Sequence, residues 1–287
     1  MSGLAAQMVN DAKRVLVFDS GVGGLSVFDA IAAAPHAFEL DYVADNAWLP
    51  YGLKTDEQLR ARVPALLSRV VEQWAPEAVV VACNTASTIA LEPVRAALKI
   101  PVVGVVPPIK PAAAMTQTGV IGLLATPATV QRAYTSDLIS QFAADKTVIR
   151  FGSAGLVQAA ERKLRGEDLG TAEITEAIRG LFSAPGGENI DVVALACTHF
   201  PLLVEELTAA APRACLWMDS GAAIARRLAS VLVAQEGPTR VHRAAFTNGH
   251  AAHTSLRAFE ARGFGDFSHI DEARDFRAEA LTRATAV

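Results

Sequence analysis

Cysteine is scarce, with three residues in 287, too few to form a disulfide framework. Aromatics make up only 6 % of the chain. Neither sign of charge dominates: 26 Lys and Arg face 30 Asp and Glu, a net charge of −4. That balance gives no electrostatic reason to expect nucleic acid or an anionic membrane as a partner. No uninterrupted apolar run reaches the roughly 18 residues of a membrane span. Residues 1–13 lack the basic and apolar regions of a signal peptide. These absences predict a soluble, reduced, cytoplasmic protein.

Several chemistries are also missing. There is no G-x-S-x-G elbow, no P-loop and no H-E-x-x-H, and no C-x-x-C pair. Gly21-Val-Gly23-Gly24 follows a predicted strand and opens a helix, as a dinucleotide fingerprint would, but Ser26 stands where the third glycine belongs. His250 and His253 have a metal-like spacing that reads more simply as loop. No metal is expected.

What the chain has in quantity is apolar material, 51 % of residues, arranged as short strands alternating with helices. That alternation predicts an α/β fold with mainly parallel sheets covered on both faces. Predicted strands cover 14–19, 40–44, 78–82, 101–106, 119–125, 147–151, 191–197 and 214–219, and 242–248 and 266–270 read as edge strands. The interposed segments read as helices. One of these, 55–74, has Thr55 as its cap and Pro64 as the point where it kinks or divides. The polar tail reads as solvated surface. Pro107-Pro108-Ile109-Lys110-Pro111 is dense in chain breakers and marks a domain crossing.

Two stretches organise the rest. Ala78-Val-Val-Val-Ala-Cys83-Asn84-Thr85 and Val192-Val-Ala-Leu-Ala-Cys197-Thr198-His199 each run from a buried strand into Cys and small polar residues. A free Cys is by default a small buried hydrophobe, and Cys215, within a predicted strand near Trp217, fits that description. Cys83 and Cys197 differ, because each lies at the carboxyl end of a strand, where open α/β sheets form ligand crevices. A helix start just beyond would lower the thiol pKa. Asp19-Ser20 ends the first strand and reads either as a capping turn or as a group that orients an ammonium or tunes a thiol. His199 reads equally as a surface cap or as an acid/base group, and Glu161 on its own reads as a solvated helix charge. Two thiols facing one substrate suit inversion of a carbon centre, one removing a proton and the other delivering one to the opposite face. A Cys–His hydrolase built on Cys197 would leave Cys83 without a role, and a non-catalytic module that binds small acids remains open.

Phe18-Asp-Ser-Gly-Val-Gly-Gly-Leu-Ser-Val27, Asp45-Asn-Ala-Trp-Leu-Pro-Tyr-Gly52, Ala82-Cys-Asn-Thr-Ala-Ser87 and Ala196-Cys-Thr-His-Phe-Pro-Leu-Leu203 together resemble the glutamate racemases of the cofactor-independent aspartate/glutamate racemase superfamily. The resemblance implies two similar three-layer α/β domains, 1–106 with 222–287 and 107–221, and a site in the cleft between them. It implies interconversion of L- and D-glutamate without a cofactor, supplying D-glutamate for peptidoglycan, by a cytoplasmic homodimer. Aspartate and hydantoin racemases of the superfamily are the near alternatives. Cys83 and Cys197 are implied as the acid/base pair, Cys197 acting on L-glutamate and Cys83 on D-glutamate. Asp19 and His199 are implied as their helpers, and Glu161 as a carboxylate near the second thiol. Asp19, Ser20, Pro50, Tyr51, Gly52, Asn84, Thr85, Thr198 and His199 fall on substrate contacts. The chain departs from the family pattern at Val106-Pro107-Pro108 and at Thr126-Pro127-Ala128.

Overall fold

The computed structural model describes residues 12–249, 255–271 and 278–280; the His250 and His253 pair and most of the tail lie outside them. The first half runs β1 (Lys13–Asp19), α1 (Leu25–Ala32), β2 (Phe38–Ala44), α2 (Asp56–Trp74), β3 (Ala78–Val81), α3 (Asn84–Ala97) and β4 (Val102–Gly104). Next come α4 (Ile109–Met115), β5 (Val120–Ala125), α5 (Pro127–Gln131), α6 (Ala133–Phe142), β6 (Thr147–Gly152), α7 (Gly155–Arg165), α8 (Ala172–Phe182), β7 (Val192–Ala196), α9 (Val204–Ala210) and β8 (Leu216–Met218). The chain closes with α10 (Gly221–Leu232), β9 (Arg240–Phe246), α11 (Leu256–Glu260), β10 (Asp266–Ile270) and β11 (Ala278–Ala280).

Two sheets result. One has the order β11-β10-β9-β2-β1-β3-β4 and the other β6-β5-β7-β8. Every pairing is parallel except β10 with β11. The order β2-β1-β3-β4 in the first sheet is repeated as β6-β5-β7-β8 in the second. β3 and β7 are therefore counterparts, and Cys83 and Cys197 follow them at matching carboxyl ends.

Both faces of each sheet are covered, which is why its strands read as continuous apolar runs. In β1, Val15 and Val17 pack with α1 and α10 on one side, while Leu16 and Phe18 pack with α2 and α3 on the other. In the second sheet, α7 and α8 cover one face, and α4 and α6 cover the other. The return helix α10 buries Ile224, Ala225 and Leu228 against the first sheet.

Some sequence readings need correction. β9 lies between β2 and β10, not at an edge, and β10 is covered by β11. Pro64 does not divide its helix, since it lies within a single α2. Leu59, Val63, Leu66, Leu67, Val70 and Trp74 form one continuous buried stripe along that helix, and this packing outweighs the hydrogen bond Pro removes. Thr55 does cap it, in a reciprocal box with Gln58. Cys215 is only half-buried and precedes β8.

Candidate active site

The strand ends place the site. Asp19 ends β1, and the Gly21-Val-Gly-Gly24 turn leads from it into α1. Cys83 is the residue immediately before α3, at its N-cap position. Cys197 ends the β7 run, and a short turn of 3-10 helix, Phe200–Leu203, follows His199. Both thiols are buried.

The two thiols line one chamber of about 30 Å³, together with Ser20, Pro50, Tyr51, Gly52, Asn84, Thr85, Thr198 and His199. The chamber is narrow, with room for a couple of waters. Asn84 Oδ1 is buried and makes no hydrogen bond. A larger vestibule of about 480 Å³ adjoins it, and Leu49, Pro50, Gly52, Thr126 and Val157 line both spaces. Glu161, Arg162 and Arg165 line the vestibule.

The surroundings of the two thiols differ. Cys83 Sγ lies 3.6 Å from Ser20 Oγ. Its thiol is pushed up to about 12, chiefly by burial and then by the charge of Asp19. The Ala86 N–H at the start of α3 acts the other way and loses. The helix start is thus present as expected, but it does not lower this thiol's pKa, because desolvation of the thiolate is the larger effect.

Cys197 Sγ lies 3.8 Å from His199 Nδ1, and His199 Nε2 lies 2.8 Å from Glu161 Oε1. Burial opposes the imidazolium, but hydrogen bonds to Cys197 and Glu161 outweigh it and raise His199 well above the usual histidine value. Glu161 is therefore a buried partner, not the solvated charge its sequence context suggests. Its carboxylate also accepts from Val22 N–H at 3.4 Å. The glycine turn explains how this pair fits: a Cβ on Gly23 would stand 2.3 Å from His199 Nδ1, and one on Gly21 would stand 2.9 Å from Glu161 Oε1.

Asp19 stands behind the chamber wall, fully buried, accepting from Gly21 N–H at 2.9 Å and Thr198 Oγ1 at 3.1 Å. Burial raises its pKa, against the lowering effect of His199. Tyr51 reaches the chamber, but its hydroxyl donates to Asp45 Oδ2 at 2.6 Å. Asp45, also fully buried, is gripped by Arg62 at 2.7 and 3.0 Å and by Thr247 Oγ1 at 2.8 Å. This network anchors the 45–52 loop. Sequence reasoning missed Arg62 and Thr247, and local sequence carries no signal for contacts 17 and 202 residues apart. Thr126 and Val157 were also missed as wall residues. Among the described residues, no three His, Cys, Asp or Glu side chains converge to hold a metal ion.

Two parallel sheets that bring strand-end thiols to one small chamber define the fold and site, and comparison with known proteins places them among racemases. The chain belongs to the Asp/Glu/hydantoin racemase family, whose model matches residues 17–228. It is 54 % identical over 224 residues to glutamate racemase of Sphingopyxis alaskensis, covering 78 % of this chain and 84 % of that one. It is 49 % identical to glutamate racemase of Vibrio cholerae, covering 80 % and 85 %. The crystal structure of Escherichia coli glutamate racemase with L-glutamate and the activator UDP-MurNAc-Ala superposes with a TM-score of 0.83 at 40 % identity, covering 93 % of this chain and 99 % of that one.

Proposed function

We propose that this chain is a glutamate racemase, an isomerase that interconverts L- and D-glutamate by two-thiol proton transfer at Cα without a cofactor and supplies D-glutamate for peptidoglycan. The observation that carries this reading is the shared chamber with Cys83 and Cys197 in its wall. L-Glutamate loses its Cα proton to the Cys197 thiolate, and Cys83 delivers a proton to the opposite face. D-Glutamate runs the exchange in reverse.

The electrostatics suit these roles. The imidazolium of His199 favours the Cys197 thiolate beside it. A Cys83 thiol held up at about 12 stays protonated at neutral pH and is ready to donate. Asn84 Oδ1 is an acceptor suited to the substrate ammonium. Backbone N–H groups at the start of α3, with the hydroxyls of Ser20, Thr85 and Thr198, suit the α-carboxylate. A Cα proton is weakly acidic, so donors aimed at the developing negative charge and the exclusion of water account for most of the catalysis. Asp19 acts from behind the wall, by holding Thr198 and by keeping Cys83 protonated.

The lobes are 1–106 with 222–287 and 107–221, and the working enzyme is a cytoplasmic homodimer. The test is to incubate the purified protein in D2O with L- or D-glutamate and no added cofactor, alongside both aspartate enantiomers. Deuterium at Cα of the product is expected from either glutamate enantiomer, and its absence from both sinks the racemase reading. Faster exchange with aspartate would reassign the substrate. Replacing Cys83 or Cys197 singly by Ser abolishes normal interconversion, whereas a hydrolase would survive the loss of Cys83.

A further inference from the structure

β1, β2 and β9 are neighbours in the first sheet and all run the same way. Their register aligns Asp19 with Ala44, and Ala44 with Phe246. The residues one step further on, Asp45 and Thr247, therefore emerge side by side at the carboxyl ends, where a parallel sheet holds its ligand. β9 lies beyond residue 228, where the family match ends. Thr247 is not in the chamber wall, yet hydrogen bonds couple it to that wall. Its hydroxyl donates to Asp45 Oδ1 at 2.8 Å and accepts from Ala47 N–H at 3.0 Å. Asp45 Oδ2 in turn accepts from the Tyr51 hydroxyl at 2.6 Å. Tyr51 is buried in the same apolar cluster as Cys83 and lines the chamber. Asn248 closes the same seam: Asn46 Nδ2 donates to Asn248 O at 3.0 Å, and Asn46 Oδ1 accepts from Asn248 N–H at 2.8 Å. The loop that brings Pro50, Tyr51 and Gly52 to the chamber is thus fastened at its root to the end of β9.

We propose that Thr247 is a positioning residue for racemisation: through Asp45 it fixes the Tyr51 ring and the 50–52 wall where glutamate binds, without touching the substrate. This rests on the proposed function. Arg62 and Thr247 share the work on Asp45 unequally. Arg62, reaching from α2, supplies the charge that a fully buried carboxylate needs. Thr247 supplies no charge, and its contribution is direction. Its bond and one from Arg62 Nη2 occupy Oδ1, which leaves Oδ2 to Arg62 Nε and Tyr51. The Tyr51 hydroxyl is therefore committed to Asp45, and Tyr51 meets glutamate with its ring and backbone. The two thiols stand at the ends of β3 and β7, not on this loop. Loosening the wall accordingly weakens the binding of both enantiomers and leaves proton transfer within the bound complex in place. Its kinetic mark is a raised KM with little change in kcat.

The test is a mutant cycle on the full-length protein. Racemisation by the wild type, Thr247→Val, Thr247→Ser, Tyr51→Phe and the Thr247→Val/Tyr51→Phe double variant is followed by circular dichroism in both directions. Thr247→Val keeps the shape and removes the hydroxyl. It should raise KM for both enantiomers about tenfold, the worth of one hydrogen bond to a charged group passed on to binding. Its kcat should stay within about twofold of the wild type. Thr247→Ser, which keeps the hydroxyl, should retain the wild-type KM. Tyr51→Phe should raise KM by a similar factor, and the double variant by no more than the larger single effect, because both cut one link. A Thr247→Val enzyme whose urea midpoint falls while KM holds shows a structural role only and overturns the proposal. An equal rise in Thr247→Ser, additive rises in the double variant, or a fall in kcat at constant KM overturns it too. Should Thr247→Val fail to fold, Tyr51→Phe decides alone, since an unchanged KM there breaks the link. An inactive wild type refutes the proposed function itself, whereas an active wild type with an unaffected Thr247→Val overturns only the role of Thr247.

Discussion

Replacing Gly23 by Ala adds a methyl group directly against His199. The new Cβ would stand 2.3 Å from Nδ1, 2.5 Å from Cε1 and 2.8 Å from Cγ. Contacts below 3.0 Å are essentially never seen for a real Cβ, so the ring must retreat by about 0.7 Å from Nδ1 alone (3.0 − 2.3). It has little freedom to do so. Nε2 is bound to Glu161 at 2.8 Å, Nδ1 faces Cys197 at 3.8 Å, and the side chain is buried. Alternatively, the α1 turn moves and disturbs the Ser26 Oγ bond to Thr198 O at 2.7 Å. Overpacking of this kind costs about 1–3 kcal/mol of stability, which a domain of this size survives. The larger effect is on turnover, because misplacing a catalytic group by about 1 Å costs up to roughly 10²-fold. Gly23→Ala is therefore expected to remain folded by far-ultraviolet circular dichroism and to lose roughly 10²-fold in kcat. The loss should appear in both directions, because Cys197 takes part in both. A Gly23→Ala enzyme with wild-type kcat and an unchanged pH profile would refute the claim that His199 is held in one place for catalysis. Gly21→Ala, whose Cβ meets Glu161 Oε1 at 2.9 Å, should be milder.

Other expectations follow from the electrostatics. The Cys83→Ser minus wild-type difference in thiolate absorbance should stay flat through neutral pH and rise only as the pH approaches about 12. Growth near the ordinary thiol value would mean that burial does not govern this group. The imidazolium of His199, raised well above its usual value, contributes stability that is complete below about pH 6.5 and lost as the pH rises through the folded-state value. Glu161→Gln removes one of the groups that raise it, so urea midpoints of variant and wild type should diverge from near neutrality upward, the variant losing stability first. Arg62→Ala leaves the fully buried Asp45 carboxylate without its cation. It should cost roughly 3 kcal/mol or more by urea unfolding, whereas a loss under about 1 kcal/mol would class the pair with exposed ion pairs.

The strand–helix alternation and the strand-end position of both thiols were legible because they are local. A strand buried on both faces is an apolar run, and the turn after it is polar, so β3 and β7 and their cysteines stand out in the sequence. The strand order was not legible, since hydrogen bonds between parallel strands leave no trace in either strand alone. β9 shows the same limit: Arg240, His242 and Arg243 give it an edge-like look, yet His242 and Arg243 face the buried Asp41 of neighbouring β2. Whether Pro64 divides its segment was not legible locally, because the buried stripe that keeps α2 in one piece is set by packing. Glu161 had no readable role by spacing, since its partner lies 38 residues away on another element. The fall of Cys83's acidity was misjudged for a related reason. A helix start can be read from sequence, but the depth of burial that outweighs it depends on the whole fold.

Thermodynamics limits what the repeated strand order can do. Mirror-image amino acids have equal free energy in water, so at equilibrium the two are present in equal amounts whatever the enzyme looks like. The ratio kcat/KM must then be the same in both directions. A scaffold that brings matching strand ends to one chamber suits two mirror-image substrates nearly alike. The unequal company of the thiols, Ser20 and Asp19 on one side and His199 and Glu161 on the other, cannot favour one enantiomer in the final mixture. It can only divide the same efficiency differently, giving one direction faster turnover with looser binding and the other slower turnover with tighter binding.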